Sequence, residues 1–371
     1  MNTLRLDLPA RIATTIGAVV LSAAAIAAPT LTPIDRTPPG AVSVSARAAG
    51  RMTATGQYQW PGLYFEATFK GRSVYFETGP GNVILHLSVD GVPAGTLVKP
   101  RAGAWQVDGL AEGTHVVRID AVTESQDAPN TFRGFASPAG SGAKPRSPRQ
   151  RQIEFIGDSH TVGYGNTSKT RDCTEDDVWA TTDSSAAFGP QVARHYDADY
   201  QVNAISGRGI VRNYDGSPGD PLPVAYPFVL LDHAARYQDA AWKPRVIVIA
   251  LGTNDFSTPL HTSEKWATRD ALHADYETTY AKFLEELRAR NPEALFVIWA
   301  TELADREIQS EANKVVELRK SRGDGRIEFI PIDGLAMTGC NWHPSVADDD
   351  VIAAKLIDLI DSRKLWSEPR S

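Results

Sequence analysis

The chain has 371 residues, 42% of them hydrophobic and 22% charged, with a formal net charge of −7. That length exceeds what one core usually holds, so two domains are expected. The acidic balance excludes the basic face of a nucleic-acid binder, and no Cys/His cluster has zinc-ligand spacing.

Residues 1–28 read as an export signal. Arg5 and Arg11 precede the apolar stretch IATTIGAVVLSAAAIAAP, and the small residues around Ala25–Ile26–Ala27 offer cleavage points. A membrane anchor is the competing reading, because about 17 apolar residues lie near the lower limit for spanning; the Ala, Gly and Thr content makes the stretch only mildly apolar. A secreted or periplasmic protein with no membrane partner after signal cleavage is expected. Residues 29–49, rich in Pro, Ser and Thr, read as a flexible leader.

From residue 50 to 136 the pattern is that of short strands. LYFEATFKGRSVYFETG holds two β-rich runs meeting at Lys70–Gly71, and an Asp90–Gly91 turn follows in NVILHLSVDGVPAGTLVK. Further turns at Asp108–Gly109 and Glu112–Gly113 predict an antiparallel sandwich or jelly roll. Residues 137–150 have the Gly, Pro and Ser content of a linker.

Residues 151–371 follow another grammar. IEFIG, RVIVIALG, LFVIWAT and IEFIPID are short apolar runs of the kind buried on both faces of a parallel sheet. Between them, Tyr276, Tyr280, Phe283, Leu284 and Leu287 share one helix face, ended by Asn291–Pro292, and VIAAKLIDLIDS makes a C-terminal helix. Alternating strands and helices imply a parallel sheet flanked by helices, with ligands at the carboxyl ends of its strands.

Four polar signatures fall at such ends: GDSH (157–160), SGRG (206–209), GTND (252–255) and NWHPS (341–345). Ester hydrolysis needs a nucleophile, a base and donors for the developing oxyanion. Ser159 after a strand and a glycine is the nucleophile candidate, and His343 in a loop before the last helix is the base. The oxyanion donors are the backbone N–H of Ser159, that of Gly207 and the side-chain amide of Asn254. His160 reads as a pocket residue, and Asp158 and Asp255 as braces for the loops. Cys173 and Cys340 could tie the serine loop to the histidine loop by a disulfide; two buried thiols are the alternative. Trp266, Trp342 and Tyr214, near the active edge, are candidate sugar platforms. No nucleotide-binding glycine motif is present, so no cofactor and no metal are expected.

These blocks are those of the SGNH (GDSL) hydrolases, and FIGDSHTVGYGN, ISGRGIVRNYDG, LGTNDFST and NWHPS behind a sandwich domain resemble carbohydrate esterase family two. The resemblance implies an α/β SGNH hydrolase domain preceded by an all-β jelly-roll domain. It further implies an acetylxylan-esterase-like activity, with acetylated polysaccharide or oligosaccharide such as xylan or glucomannan as partner. One departure stands out. The family's usual Asp two or three residues before the histidine is replaced by Asn341 and Cys340. His343 is then oriented by a backbone carbonyl or the Asn341 side chain, giving a Ser–His dyad, or by another acid such as Asp333. Competing functions are an esterase for lysophospholipids, thioesters or peptidoglycan O-acetyl groups, and a catalytically vestigial carbohydrate-binding protein. Oligomeric state is left open.

Overall fold

The computed structural model describes residues 29–139 and 149–366. The export-signal reading of residues 1–28, most of the expected linker and the last five residues lie outside the described residues.

The N-terminal half is built of antiparallel strands: β1 (Thr30–Ile34), β2 (Val42–Val44), β3 (Ala46–Ala49), β4 (Gln57–Tyr58), β5 (Tyr64–Lys70), β6 (Val74–Thr78), β7 (Ile84–Val89), β8 (Val92–Val98), β9 (Gly103–Asp108), β10 (Thr114–Ala121) and β11 (Asn130–Ser137). One sheet runs β1–β9–β6–β11–β2, with β4 also on β11; the facing sheet runs β3–β5–β10–β7–β8. Alternating apolar residues such as Phe65, Ala67, Phe69, Val117 and Ile119 fill the space between them. The tight β7–β8 hairpin turns at Asp90 (φ 53°) and Gly91 (φ 78°), the paired positive φ values that favour Asp-Gly.

The expected leader is a correction. Residues 30–34 pair with β9, 42–44 with β11 and 46–49 with β5. All three strands lie at sheet edges, where a proline's missing N–H costs no ladder bond; Pro33 sits opposite Trp105 in such an edge. Pro, Ser and Thr content therefore marked edge strands rather than a free segment. The run through Lys70–Gly71 also does not form a hairpin, because β5 and β6 belong to different sheets.

The second half holds a parallel sheet in the order β13–β12–β14–β15–β16, formed by β12 (Arg151–Gly157), β13 (Ala198–Ala204), β14 (Val246–Ala250), β15 (Leu295–Thr301) and β16 (Ile327–Ile332). Its helices are α1 (Ser159–Val162), α2 (Glu175–Thr181), α3 (Phe188–His195), α4 (Leu222–Ala225), α5 (Thr253–Phe256), α6 (Arg269–Arg290), α7 (Glu307–Ser321) and α8 (Val346–Ser362). The five α6 residues of the expected face are all buried. No helix among the described residues is long and apolar enough to cross a membrane.

The halves share core. Trp60 packs with Ile156, Ile205 and Tyr226, and Tyr64 with Phe155 and Tyr200. The Arg51 guanidinium lies 4.9 Å from the Trp60 ring and 4.3 Å from the Tyr226 ring, and it donates to the carbonyls of Tyr226 and Phe228. The Asp199 carboxylate on β13 accepts from Tyr64 Oη at 2.6 Å and Arg149 at 3.2 Å, and is paired with Arg47. A buried carboxylate needs such donors to stay charged, so β13 is anchored to the sandwich.

Candidate active site

The site forms where β12, β13 and β14 end side by side. After β12 the chain turns sharply at Gly157, where a Cβ would meet Thr161 Oγ1 at 2.0 Å and the Ala250 carbonyl at 2.9 Å, so only glycine fits. Asp158 then caps α1 by accepting from the His160 N–H at 3.1 Å, which places Ser159 at the first position of the helix. The Ser159 side chain has His343 as partner, with 2.8 Å between Oγ and Nε2.

The other ring nitrogen settles the tautomer. His343 Nδ1 lies 3.0 Å from the Cys340 carbonyl and 3.1 Å from the Asn341 carbonyl. Carbonyls only accept, so Nδ1 carries the hydrogen and Nε2 is free to accept the serine proton. Burial holds the His343 pKa below its ordinary 6.5, opposed by the hydrogen bonds to the two carbonyls. A neutral ring of this tautomer is the form a general base requires.

Two carbonyls converge on one nitrogen because residues 340–342 make a tight turn. Asn341 (φ 50°) and Trp342 (φ 62°) are both left-handed, which costs about 1–2 kcal/mol per residue outside glycine. The surroundings hold the turn in place: Cys340 N–H donates to Gly165 O (3.2 Å), Asn341 N–H to Arg171 O (2.6 Å) and Gly339 N–H to His343 O (3.0 Å). Cys340 is also disulfide-bonded to Cys173, with 5.4 Å between their Cα atoms. Asn341 thus meets His343 through its main chain, not its amide, whose nitrogen is 3.4 Å from Tyr164 Oη. The side-chain alternative is corrected accordingly. Asp333 is engaged elsewhere, with Gln309 at 2.6 Å and Arg306 at 2.9 Å.

Opposite the Ser159–His343 pair, Gly207 has φ 80°, and an added Cβ there would meet nothing within 4 Å, so its backbone borders open space. The N–H groups of Ser159 and Gly207 donate to no acceptor among the described residues. Asn254 comes to the same place from α5, but its amide donates to Asp158 Oδ2 (3.1 Å) and to the Arg208 carbonyl (2.9 Å). Both of its hydrogens are committed, so it can serve an oxyanion only by releasing one of these acceptors. Burial pushes the Asp158 carboxyl up to about 7 and the Asp255 carboxyl up to about 6. Asp255 accepts from the N–H groups of Ile210, Val211 and Arg212, each at 2.9 Å, which fixes the chain after Gly207.

Residues 46–146 match the family described as carbohydrate esterase 2 N-terminal, and residues 155–352 match the GDSL-like lipase/acylhydrolase family. An acetylxylan esterase/glucomannan deacetylase of Cellvibrio japonicus is 42% identical over 350 residues, covering 94% of this chain and 97% of its own. The chain belongs to the family two carbohydrate esterases. It is a carboxylic ester hydrolase. The cellulase/esterase CelE of Acetivibrio thermocellus is 31% identical over 83% of this esterase, which spans 38% of that larger protein. One solved carbohydrate esterase, whose active site is described as having divergent catalytic and non-catalytic binding functions, superposes with a TM-score of 0.82. It is 41% identical, over 88% of this chain and all of that one. A family two esterase from Clostridium thermocellum, solved with cellohexaose, gives a TM-score of 0.75 at 28% identity, over 86% and 99% of the two chains.

The three aromatic candidates differ in the esterase. Trp342 is 64% exposed, and the Arg171 guanidinium lies 4.1 Å from its ring centre. Tyr214 is 54% exposed, and its N–H donates to the Gly207 carbonyl at 2.9 Å. Trp266 is instead half-buried against the core, with its indole N–H taken by Asp275 at 3.0 Å. It lies on the wall of a cavity of about 230 Å³ shared with Arg212 and Glu264. His160 is buried; its ring stacks on Trp299 (6.4 Å) and meets His343 edge-on (5.4 Å). Sequence reasoning did not single out Tyr164, whose ring sits 4.2 Å from His343, or Arg171, which carries Trp342. Tyr164 lies within the GYGN part of the serine block; Arg171 has no local signal.

Proposed function

We propose that the chain is an exported esterase that removes O-acetyl groups from plant cell-wall polysaccharide, such as xylan or glucomannan, with a Ser–His dyad. The observation that carries the mechanism is the chain of contacts from Ser159 Oγ to His343 Nε2 and from Nδ1 to two carbonyls.

Ser159 Oγ attacks the acetyl carbonyl carbon while His343 Nε2 takes its proton. The carbonyl oxygen becomes an oxyanion beside the N–H groups of Ser159 and Gly207 and the Asn254 amide; one such donor is worth about 10²–10³ in rate. The imidazolium formed in this step is met at Nδ1 by the two carbonyl dipoles. Nε2–H then protonates the departing sugar oxygen, leaving acetyl-Ser159; a water deprotonated by Nε2 attacks the acetyl carbon, and Nε2–H returns that proton to Ser159 Oγ as acetate leaves. The exposed Trp342 and Tyr214 rings offer apolar faces to a sugar. Support for a polysaccharide comes from the activity named for the Cellvibrio japonicus relative and the cellohexaose bound by a neighbour. Support for export is the composition of residues 1–28.

The test is acetate release from acetylated xylan and acetylated glucomannan, with p-nitrophenyl acetate as control, by wild type and Ser159→Ala. Deacetylation of the polymers by wild type alone is expected, with the variant down by at least 10³-fold. Cleavage of the small ester but neither polymer would sink the substrate assignment, and retained activity in Ser159→Ala would sink the nucleophile.

A further inference from the structure

The loop between β10 and β11 of the sandwich carries side chains of alternating destination. Thr123 and Ser125 turn back into the sandwich: Thr123 Oγ1 accepts from the Ile84 N–H at 2.8 Å, and Ser125 Oγ donates to the Asn82 carbonyl at 2.7 Å. Glu124 and Gln126 cross to the hydrolase half and meet one residue. Glu124 Oε1 accepts from the Ser206 N–H at 2.8 Å, and Gln126 Nε2 donates to the Ser206 carbonyl at 3.2 Å. Gln126 is itself held at its own carbonyl by Gln59 Nε2 at 2.8 Å, and Gln59 Oε1 accepts from the Leu231 N–H at 3.1 Å.

The Ser206 carbonyl and the Gly207 N–H belong to the same planar peptide unit. Gln126 fixes one end of that plane and with it the direction of the other, while Glu124 holds the N–H of the preceding peptide unit, so the turn leading into Gly207 is gripped on both sides of Ser206. A donor on the carbonyl also polarises the unit and strengthens its N–H as a donor. Gly207 cannot hold this orientation itself, since a residue without Cβ is the freest in the chain; its downstream side is fixed by Asp255, and its upstream side is fixed from the other domain.

We propose that Glu124 and Gln126 are positioning residues for the oxyanion hole, so that the sandwich domain supplies part of the catalytic geometry. This rests on the reading of Gly207 as an oxyanion donor. The loop acts with defined polarity, an acceptor at 124 and a donor at 126. The arrangement accounts for the shared core between the halves, because an aim set from the sandwich is only as steady as the domain junction.

The experiment measures kcat, KM and Tm on p-nitrophenyl acetate and on acetylated xylan for full-length variants. Glu124→Ala lowers kcat at least tenfold and Gln126→Ala about three- to tenfold, with KM within threefold of wild type. Gln126 is on the surface, so its variants keep the measurement meaningful should Glu124→Ala fold poorly. Polarity provides the readout that a merely structural role would not move. Glu124→Gln keeps an acceptor and restores kcat to within threefold, whereas Gln126→Glu loses the donor and falls at least as far as Gln126→Ala. A kcat within twofold of wild type in Gln126→Ala and Gln126→Glu, or losses confined to KM, overturns the proposal. If those variants are silent while Ser159→Ala is dead, only the inference fails; if Ser159→Ala stays active, the reading of the site fails with it.

Discussion

Breaking the Cys173–Cys340 bond separates two roles, as a staple and as the anchor of a carbonyl that holds His343. The two cysteines are 167 residues apart. Closing a loop of that length removes about 5 kcal/mol of unfolded-state entropy in the chain-entropy treatment, and removal of native bonds typically costs about 2–5 kcal/mol. At about 2.1 cal/mol/K per residue, unfolding the whole chain carries an entropy of roughly 0.8 kcal/mol/K, so the loss corresponds to a fall in Tm of about 3–6 °C. A protein stapled and nothing more would keep its kcat at 25 °C, well below the transition. Cys340, however, supplies one of the two carbonyls that hold His343 Nδ1. A hydrogen bond to a charged group contributes about 1.5–3 kcal/mol, and the ring is charged only after it has taken the serine proton. Losing that bond in the transition state lowers kcat/KM roughly ten- to a hundredfold. The second carbonyl, from Asn341, moderates the loss toward the lower figure. The assay compares wild type, reduced wild type and the Cys173→Ser/Cys340→Ser double variant, by thermal unfolding and by p-nitrophenyl acetate hydrolysis at 25 °C. A lowered Tm with kcat/KM within twofold of wild type would refute the anchoring role and leave only the staple.

Asp333→Ala leaves kcat/KM within about twofold of wild type, because that carboxylate is engaged by Arg306 and Gln309; a tenfold loss in steady-state kinetics would restore it as the third member of a triad. The acid limb of kcat/KM against pH has its midpoint below 6.5, because burial depresses His343 and the reaction uses its neutral form; a midpoint above 6.5 would contradict the geometry. Stability also falls in acid on account of His160, whose folded pKa is pushed down to about 3 from 6.5 by burial and the neighbouring His343. The unfolded chain then binds the proton first, so stability is lost as pH drops from about 6.5 toward 3, by about 2 kcal/mol at pH 5. Asp158, raised from 3.8 to about 7, works in the opposite direction, so the check is the difference between wild type and His160→Phe in urea unfolding at pH 7.5 and pH 5. A difference that does not change between the two pH values would refute it.

The legible parts were those whose signals are local. Asp90–Gly91 marked its hairpin because a two-residue hairpin loop with both residues left-handed strongly favours such a pair, and the α6 face followed from spacing alone. Residues 30–49 were misread because their partners, such as Trp105, Phe135 and Ala67, are far along the chain and edge strands tolerate turn-like composition. Lys70–Gly71 shows the same limit: a turn can be seen in sequence, but not that it carries the chain between sheets. At the site, Ser159, Gly207, Asn254 and His343 were visible as types of residue needed together. A backbone carbonyl was one of the alternatives for orienting His343, but which carbonyls do so was not legible, because every residue has one and only the folded turn selects two of them. Glu124 and Gln126 were likewise invisible, since nothing local distinguishes a loop residue that reaches another domain.

The substitution of carbonyls for a carboxylate also fits the charge already buried here. Glu124, Asp158 and Asp255 stand around the oxyanion loops, and burial raises the pKa of all three, the sign of a region that resists further negative charge. A carboxylate behind His343 would stabilise the imidazolium, but it would also face the oxyanion. Two like charges at an effective dielectric constant of 20 repel by about 4 kcal/mol at about 4 Å, and less in proportion to distance, which offsets part of what the acid would contribute. Carbonyl dipoles hold the ring in its tautomer without adding net charge. They need instead a turn with two left-handed residues, and that strain is sustained by main-chain bonds to Gly165 and Arg171 and by the disulfide. On the proposed mechanism, the role usually given to one acidic side chain falls to backbone geometry, and the residues that matter for it are those that hold the turn.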